Sequence, residues 1–259
     1  MYISVGALNN ILYSEHMEID EQLVREQAAY SPSVEALASV KNAPVLFVVG
    51  ISGAGKDTLL NKLVATHPND YQFIISHTTR KPRQNNGIME QNGREYYFVS
   101  GDQARDMLHK GQYIETNLYA DNLYGTSIAE LERVTRDHKI AICDVDVNGV
   151  RQYIDLGMNV KPVFLLPPNY DIWFDRLIAR YSGATDPDDL RKRMQTALVE
   201  LHEAIDNDYY YMVINDDLAK AVELVHEIAH GEQIVARYAK AVELAEQIAE
   251  RISQKIASL

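Results

Sequence analysis

A glycine-rich loop between an apolar run and a helix-periodic segment constrains the fold of this chain more than any other feature. Pro44–Gly50 (PVLFVVG) is rich in valine and continuously apolar, which is typical of a strand buried on both faces. The loop continues to Gly55, and the leucines after Lys56 recur at helical spacing. Strand, glycine loop and helix in this order indicate a loop whose backbone N–H groups cradle polyphosphate, with Lys56 reaching the terminal phosphates.

The residue after this lysine departs from the usual pattern. Asp57 stands where Ser or Thr normally offers a hydroxyl to Mg²⁺, and Thr58 follows it. Asp57 could ligate Mg²⁺ directly or through water, because hard cations accept carboxylate oxygens. It could equally be an acid favoured by the helix dipole at the first turn. Asp57 and Thr58 are therefore the candidate metal ligands, and the two interpretations of Asp57 stay open.

Three further apolar runs have the same strand-like character, namely Lys139–Val145, Val160–Leu166 and the weaker Tyr211–Ile214. Helical segments are expected around them at Asp102–Lys110, Ile128–Asp137, Tyr170–Arg180 and Pro187–Asn207. This alternation predicts an α/β fold with a mainly parallel sheet flanked by helices.

Composition narrows the classes of protein to which the chain can belong. It has 25 Lys plus Arg and 37 Asp plus Glu, so its formal net charge is −12, which disfavours general binding to nucleic acid. A single cysteine, Cys143, excludes an internal disulfide and fits a reducing compartment. The first residues do not read as a signal peptide and no run has membrane-spanning length, so we expect a cytoplasmic protein without membrane contact.

Both ends of the chain are expected to lie outside the main domain. Residues 1–43 are weakly periodic and predict an N-terminal extension, in which Ser33 caps a short helix that runs through Val40. Residues 231–259 predict a C-terminal helix from about Ile234 to Ile256. Its apolar stripe must be buried on its own domain or on a partner, so a homodimer through this helix is one expectation.

A second motif, Ser76–Arg83 (SHTTRKPR), follows the predicted phosphate-binding helix. Arg80 and Arg83 are three residues apart and Pro82 favours an extended path between them, so both guanidinium groups can fork onto one phosphate. The run Gly93–Ser100 (GREYYFVS) comes shortly afterwards.

These motifs, in this order, resemble the guanylate kinase family. The resemblance covers roughly residues 44–230 and includes several elements in register, which together are far more specific than any one alone. The further matching segments are Gly111–Glu115, Asn122–Ser127, Cys143–Gly149, Leu166–Pro168 and Asn215–Asp217.

The resemblance implies an ATP:GMP phosphotransferase, with a GMP-binding subdomain at about 76–127 and a helical lid at about 176–193. The residues that it implies for ATP are Gly50, Ser52, Gly53, Ala54, Gly55, Lys56, Asp57, Thr58 and Asn215. For GMP they are Ser76, Arg80, Arg83, Tyr96, Glu115, Tyr124, Thr126 and Asp146. The catalytic cations that it implies are Lys56, Arg176, Arg180 and Arg193, and ATP would bring Mg²⁺ with it.

Hydrogen-bonding chemistry agrees with these roles. Guanine presents N1–H and N2–H₂ donors, and the carboxylates of Glu115 and Asp146 can only accept. Phosphoryl transfer needs positioning and positive charge around the moving group, which arginines and Lys56 supply.

The acceptor pocket also departs from the family pattern. The distance along the chain from Arg83 to Tyr96 is longer than usual, which leaves open whether Glu90 replaces an acid that the family has sooner. Asn148 stands where Gln is usual, and Thr116–Asp121 lacks the family's common aromatic and small residues.

Two other functions therefore stay open from the sequence. The Gly-Lys-Asp-Thr run at Gly55–Thr58 and the Val-Asn-Gly run at Val147–Gly149 also resemble ribose 1,5-bisphosphate phosphokinases. A non-catalytic guanylate-kinase-like interaction module is the other alternative, although such modules typically lose residues of the phosphate loop that are intact here. His226 and His230 lie four apart on a predicted helix, but no third ligand is evident and a metal site is not expected there.

Overall fold

The computed structural model describes residues 21–85, 87–179, 186–231 and 238–259. The chain divides into two compact units that are interleaved in sequence. The smaller unit contains the segment that ends at Val40 together with Ile75–Glu132, and the larger unit contains Lys41–Ile74 and Arg133–Leu259.

A five-stranded sheet forms the centre of the larger unit. Its strands are β1 (Val45–Val49), β2 (Tyr71–Phe73), β9 (Ile140–Cys143), β10 (Val160–Leu166) and β11 (Tyr211–Ile214). They are arranged in the order β11-β10-β1-β9-β2, and every neighbouring pair is parallel. All five residues of β1 are buried, as its unbroken apolar sequence predicts for a central strand with helices on both faces.

Ten helices are described along the chain. They are α1 (Glu21–Ala28), α2 (Val34–Val40), α3 (Lys56–Thr66), α4 (Gly101–His109), α5 (Ile128–Arg136), α6 (Val147–Asp155), α7 (Tyr170–Ala179), α8 (Pro187–Asp206), α9 (Leu218–Ala229) and α10 (Tyr238–Ala257). Within the described ranges, none of them has both the length and the apolar character that crossing a bilayer would need.

Helices α3 and α9 bury their apolar faces against the large sheet. Leu59, Leu60 and Leu63 of α3 share one core cluster with Leu46 and Val48 of β1. This packing fixes the first turn of α3 directly beyond the carboxyl end of β1, the edge at which open parallel sheets bind ligands.

The smaller unit is built on a mixed four-stranded sheet. Its order is β6-β3-β8-β7, where β7 and β8 form an antiparallel hairpin and β3 joins β8 to β6. The strands are β3 (His77–Thr78), β6 (Tyr97–Phe98), β7 (Tyr113–Tyr119) and β8 (Asn122–Ser127). A separate small hairpin, β4 (Gln84–Asn85) and β5 (Ile88–Met89), occupies the stretch that makes the path from Arg83 to Tyr96 long.

Helix α10 packs on its own unit. Its buried residues are Ala241, Ala245, Ile248, Ala249 and Ile252, and the helix lies against α7, α8 and β11. The predicted start at Ile234 lies outside the described residues. The apolar stripe is therefore buried within the chain, and the predicted homodimer through this helix stays a prediction.

The predicted α/β class with a mainly parallel sheet is confirmed, since the four expected strands and all four expected internal helices are present within one or two residues of their predicted ends. The helix after Ser33 is also present, and Ser33 O accepts the amide of Leu37 at 2.8 Å. Helix α1 and the β7–β8 hairpin were not predicted. The division into an extension, a kinase domain and a C-terminal helix stays a prediction, although residues 21–40 pack with Ile75–Glu132.

Candidate active site

The phosphate-binding loop follows β1 and requires glycine at two positions for steric reasons. Gly50 has a φ of +142°, and a Cβ there would lie 2.4 Å from the carbonyl oxygen of Leu165. Gly55 has a φ of +101°, and a Cβ would lie 2.6 Å from Nδ2 of Asn215. Both positions therefore favour glycine, because side chains rarely adopt these positive φ values, and at Gly50 the backbone of β10 also leaves no room for a Cβ.

Three side chains outside the loop donate hydrogen bonds to its carbonyl groups. Trp173 Nε1 donates to Ser52 O at 2.9 Å, and Asn215 Nδ2 donates to Ala54 O at 2.9 Å. Arg176 donates to Gly53 O at 3.3 Å. Because these carbonyls turn outward to their donors, the loop is pre-shaped before any nucleotide binds.

The loop and the first turn of α3 line a cavity of about 310 Å³. Its lining residues are Gly53, Gly55, Lys56, Asp57, Thr58, Asp144 and Arg176. The cavity thus brings together most of the residues predicted for ATP, both candidate metal ligands and one of the predicted catalytic arginines. Lys56 Nζ donates to Gly50 O at 2.6 Å, so the ammonium group is held at the cavity by its own loop.

Asp144 belongs to this cavity, and the sequence analysis did not single it out. It directly follows β9, which was predicted as a strand, but only the pairing of β9 with β1 places Asp144 beside the phosphate-binding loop. Burial raises the pKa of Asp144, and the negative charge of Asp57 raises it further, whereas Lys56 opposes the shift.

The chemistry of this donor set fits a hard divalent cation. Two carboxylates and the hydroxyl of Thr58 line one cavity, and Mg²⁺ prefers oxygen ligands and usually binds through one or two carboxylates plus substrate phosphates. The negative charge of Asp57 further raises the pKa of Asp144 because the two carboxylates repel each other. A bound cation would relieve this repulsion.

Of the other predicted catalytic arginines, Arg193 lies on α8 and is partly buried, and Arg180 lies outside the described residues. A further acid on α8, Glu200, was not predicted. Burial raises the pKa of Glu200 to about 7, with Lys56 favouring and Asp146 opposing its charged form. Asp146, predicted to contact the base, is the N-cap of α6, where its Oδ1 accepts the amide of Gly149 at 2.8 Å.

In the smaller unit, Arg80 is held by a bidentate ion pair with Glu90. Its two terminal nitrogens donate to the Glu90 carboxylate at 2.8 and 3.0 Å, and the backbone amide of Arg83 donates to the same carboxylate at 2.8 Å. Arg80 is only 8% exposed, whereas the Arg83 side chain is exposed. Glu90 therefore fixes both the guanidinium of Arg80 and the path of the chain toward Arg83, across the β4–β5 hairpin.

Two predicted tyrosines surround this arginine. The guanidinium carbon of Arg80 lies 5.2 Å from the ring centroid of Tyr96, and the rings of Tyr96 and Tyr124 meet edge to face at 5.8 Å. A cation framed by aromatic rings is a suitable environment for a phosphate.

The predicted base-contacting residues lie on the β7–β8 hairpin. Glu115 is 7% exposed, and its Oε1 accepts the backbone amide of Thr126 at 3.0 Å. The hydroxyls of Thr126 and Ser76 are 3.5 Å apart, so these three predicted residues form one group. A Cβ at Gly125 would lie 2.8 Å from the carbonyl oxygen of Glu115, which explains why this position carries no side chain.

A group of histidines lies elsewhere in the larger unit. His67, Asp70 and His226 bring potential ligand atoms within 4.8 Å of one another, and this group is not the His226–His230 pair considered from the sequence. However, the rings of His67 and His226 are stacked, with 3.8 Å between centroids and 10° between planes. A ring nitrogen binds metal in the plane of its ring, so two stacked rings do not point their lone pairs at one common ion.

Comparison with known proteins agrees with this geometry. The family model described as guanylate kinase matches residues 42–232. The guanylate kinase of Sus scrofa is 36% identical over 173 residues, which is 66% of this chain and 84% of the relative. That of Geobacter metallireducens is 33% identical over 213 residues, which is 82% of this chain and 98% of the relative.

A solved structure supports the fold separately. The crystal structure of guanylate kinase from Anaplasma phagocytophilum has a TM-score of 0.54 and 22% sequence identity, and covers 82% of this chain and 96% of its own. The matching family model spans both the phosphate-binding loop and the β7–β8 hairpin that carries Glu115. This chain belongs to the guanylate kinase family.

Proposed function

We propose that this protein transfers the terminal phosphoryl group of ATP to GMP, which yields ADP and GDP. The observation that carries the proposal is the intact phosphate-binding cavity with Lys56 at its wall, in a chain that belongs to this family. Relatives from animals and bacteria that match most of the chain are named guanylate kinases.

The reaction is an in-line displacement in which a phosphate oxygen of GMP attacks the γ-phosphorus of ATP and the bond to the β-phosphate oxygen breaks. The loop amides and the first turn of α3 hold the ATP phosphates. Lys56 exchanges the Gly50 carbonyl for phosphate oxygens and stabilises the charge that develops in the transition state. Arg176, Arg180 and Arg193 add positive charge around the same group.

Asp57, Thr58 and Asp144 would hold Mg²⁺, which neutralises phosphate charge when it is bound with ATP. The raised pKa of Asp144, to which the negative charge of Asp57 contributes, supports this assignment. The segment at about 176–193 would act as the lid, although residues 180–185 of it lie outside the described ranges.

Arg80 and Arg83 would bind the GMP phosphate, together with Ser76, Tyr96 and Tyr124. The ion pair with Glu90 supports this role, because it holds Arg80 rigid and oriented without using all five of its N–H donors. Glu115 would accept hydrogen bonds from guanine N1–H and N2–H₂, with Thr126 and Asp146 completing recognition of the base.

Two considerations argue against the alternative functions. Ribose 1,5-bisphosphate has no base, so it would offer the buried carboxylate of Glu115 none of the N–H donors that guanine presents. A purely non-catalytic module would not need the intact cavity.

We place the enzyme in the cytoplasm, which its single cysteine and acidic composition fit.

The test is a coupled assay of ADP release with GMP, dGMP, AMP, UMP, CMP and ribose 1,5-bisphosphate as acceptors. We expect GMP to be used far better than AMP or either pyrimidine nucleotide. Preferential turnover of ribose 1,5-bisphosphate would show that GMP is the wrong acceptor. The absence of turnover with every acceptor would favour the interaction module.

A further inference from the structure

Helix α1 and Tyr30, which precede the guanylate kinase domain, contact the strand that carries Glu115. Leu23 of α1 is 5% exposed and shares a buried cluster with Tyr113 of β7 and Leu123 of β8. Tyr30, between α1 and α2, packs on this cluster, and its ring meets that of Tyr113 edge to face at 6.2 Å. Leu23 and Tyr30 both lie N-terminal to residue 42, where the family match begins.

Hydrogen bonds from this extension bracket Glu115 on both sides. The Tyr30 hydroxyl donates to the carbonyl of Tyr113 at 2.5 Å. Gln27 Nε2 donates to the carbonyl of Thr116 at 3.1 Å and lies 3.4 Å from the hydroxyl of the same residue. The extension therefore binds the backbone of β7 two residues before Glu115 and one residue after it.

The contact also reaches the turn that leads into β7. The amide of Ser33 donates to Gly111 O at 3.0 Å. A Cβ at Gly111 would lie 2.7 Å from the nitrogen of Ser33, so the extension approaches as closely as a residue without a side chain allows. Gly111 has a φ of +63°, and this left-handed conformation independently favours glycine.

The β7–β8 ladder is irregular between Tyr113 and Glu115, within the part of β7 that the extension contacts. Tyr113 pairs with Ser127 but Glu115 pairs with Thr126, so two steps on β7 match one step on β8. Such a bulge re-aims the side chain that follows it and leaves the local ladder weaker. A one-residue shift of pairing would turn the Glu115 side chain to the opposite face of the sheet.

We propose that Gln27 and Tyr30 are positioning residues for GMP recognition: they fix the bulged backbone of β7 so that the Glu115 carboxylate is presented to the base. This inference rests on the proposed function, because it assigns the base contact to Glu115. Tyr30 lies close enough for the Glu115 charge to act on it: burial raises the pKa of the Tyr30 hydroxyl to about 12, and Glu115 contributes to the rise.

The experiment uses the full chain with Tyr30→Phe, Gln27→Ala and the double variant. Tyr30→Phe keeps the ring in the buried cluster and removes only the hydroxyl. Arg25→Gln is the matched control on α1, since Arg25 is exposed and bonds Glu21 of its own helix. Steady-state kinetics give KM for GMP and for ATP, and hydrogen exchange reports the amides of residues 113–117.

In the double variant we expect KM for GMP to rise about tenfold, as the loss of two hydrogen bonds predicts. KM for ATP should stay within about twofold of wild type, since ATP binds to other residues. Exchange at residues 113–117 should be faster, and Arg25→Gln should match wild type in every measurement.

An unchanged KM for GMP in the folded double variant would overturn the inference, and so would equal rises in KM for GMP and ATP, which indicate a general loss of stability. Failure of the wild type to use GMP is a different outcome, because it removes the proposed function and the guanine contact with it. Unchanged exchange at residues 113–117 would show that the extension does not hold β7 at all.

Discussion

Glu115 is the residue on which acceptor choice depends in the proposed function. Its carboxylate is buried and has the Thr126 amide as one partner. An acceptor-only group in such a site favours a ligand edge made of donors, which guanine has and adenine lacks. The same burial makes the group costly to leave without its ligand's donors.

For Glu115→Gln we expect KM for GMP to rise strongly and KM for ATP to stay nearly unchanged. The amide keeps the size but loses the charge and turns a donor toward the donors of guanine. The wild type should prefer GMP to AMP by about 10⁴-fold, since a site built on such bonds rejects an analogue without them. Steady-state kinetics at saturating ATP, with the exposed Glu35→Gln as control, measure both effects. Equal use of AMP by the wild type would disprove guanine recognition.

Lys56→Ala should lower kcat on the order of a thousandfold, which is the usual effect of removing one main electrostatic stabiliser of a transition state. The fold should survive, because Lys56 is not part of the apolar core and bonds only a loop carbonyl among the contacts described for it. Lys62→Ala, an exposed lysine of the same helix, is the control. Turnover close to wild type in Lys56→Ala would contradict the assignment of an active kinase.

At the scale of elements, a feature could be predicted from the sequence when the residues that form it are consecutive in the chain. The phosphate-binding loop was predicted because its glycines, lysine and flanking strand and helix are consecutive. Whether Glu90 replaces the acid that the family has sooner was left open, because the β4–β5 hairpin lengthens the path along the chain and only the fold brings Glu90 to Arg80. Helix α1 was missed because its eight residues bury a single leucine, too few for a periodic signal.

Strands β7 and β8 show a second limit of sequence reasoning. Their sequences, YIETNLY and NLYGTS, mix polar and apolar residues without clear alternation, because both faces make specific contacts. They were identified by resemblance to family motifs and not as strands. Asp144 escaped notice for another reason: its role depends on β9 lying beside β1, which the order of strands along the chain does not reveal.

Helix α10 gives a prediction at this scale. Ile252 is fully buried, so Ile252→Ala should lower the free energy of unfolding by about 2–5 kcal/mol. The preference for GMP over AMP should not change, since the helix packs on α7, α8 and β11. Chemical denaturation and the acceptor assay test this, with the exposed Glu246→Ala as control. A switched acceptor preference would show that α10 takes part in the site.

At the scale of the whole molecule, the histidine cluster couples stability to pH. Burial lowers the pKa of His226, and the neighbouring His67 and His230 lower it further, against the opposing charges of Asp70 and Glu223. Tyr71 also hydrogen-bonds Nδ1 of His226 at 2.9 Å.

A histidine with a lowered pKa in the folded state binds fewer protons than in the unfolded chain. Its contribution to stability is therefore complete above its ordinary pKa of 6.5 and is lost as the pH falls below that value. Glu200 acts in the opposite sense, because its raised pKa of about 7 makes stability increase as the pH falls. The test must isolate His226.

We expect His226→Gln to lose less stability than wild type between pH 7 and 5, because glutamine keeps a hydrogen-bonding group but does not titrate. The exposed His202→Gln should retain the wild-type dependence. Denaturant melts across this range measure the difference. Identical pH profiles for wild type and His226→Gln would mean that this cluster does not contribute.

The place of β1 at the centre of the large sheet has a consequence for synthesis on the ribosome. β1 is the first strand of its sheet to be made, yet both of its neighbours, β9 and β10, lie about a hundred residues later, beyond the whole Ile75–Glu132 segment. At translation speeds of roughly 5–20 residues per second, VLFVV waits on the order of 5–20 s with neither edge paired. During that interval this wholly apolar strand has two unpaired edges, and the nascent chain is most exposed to aggregation before β10 emerges.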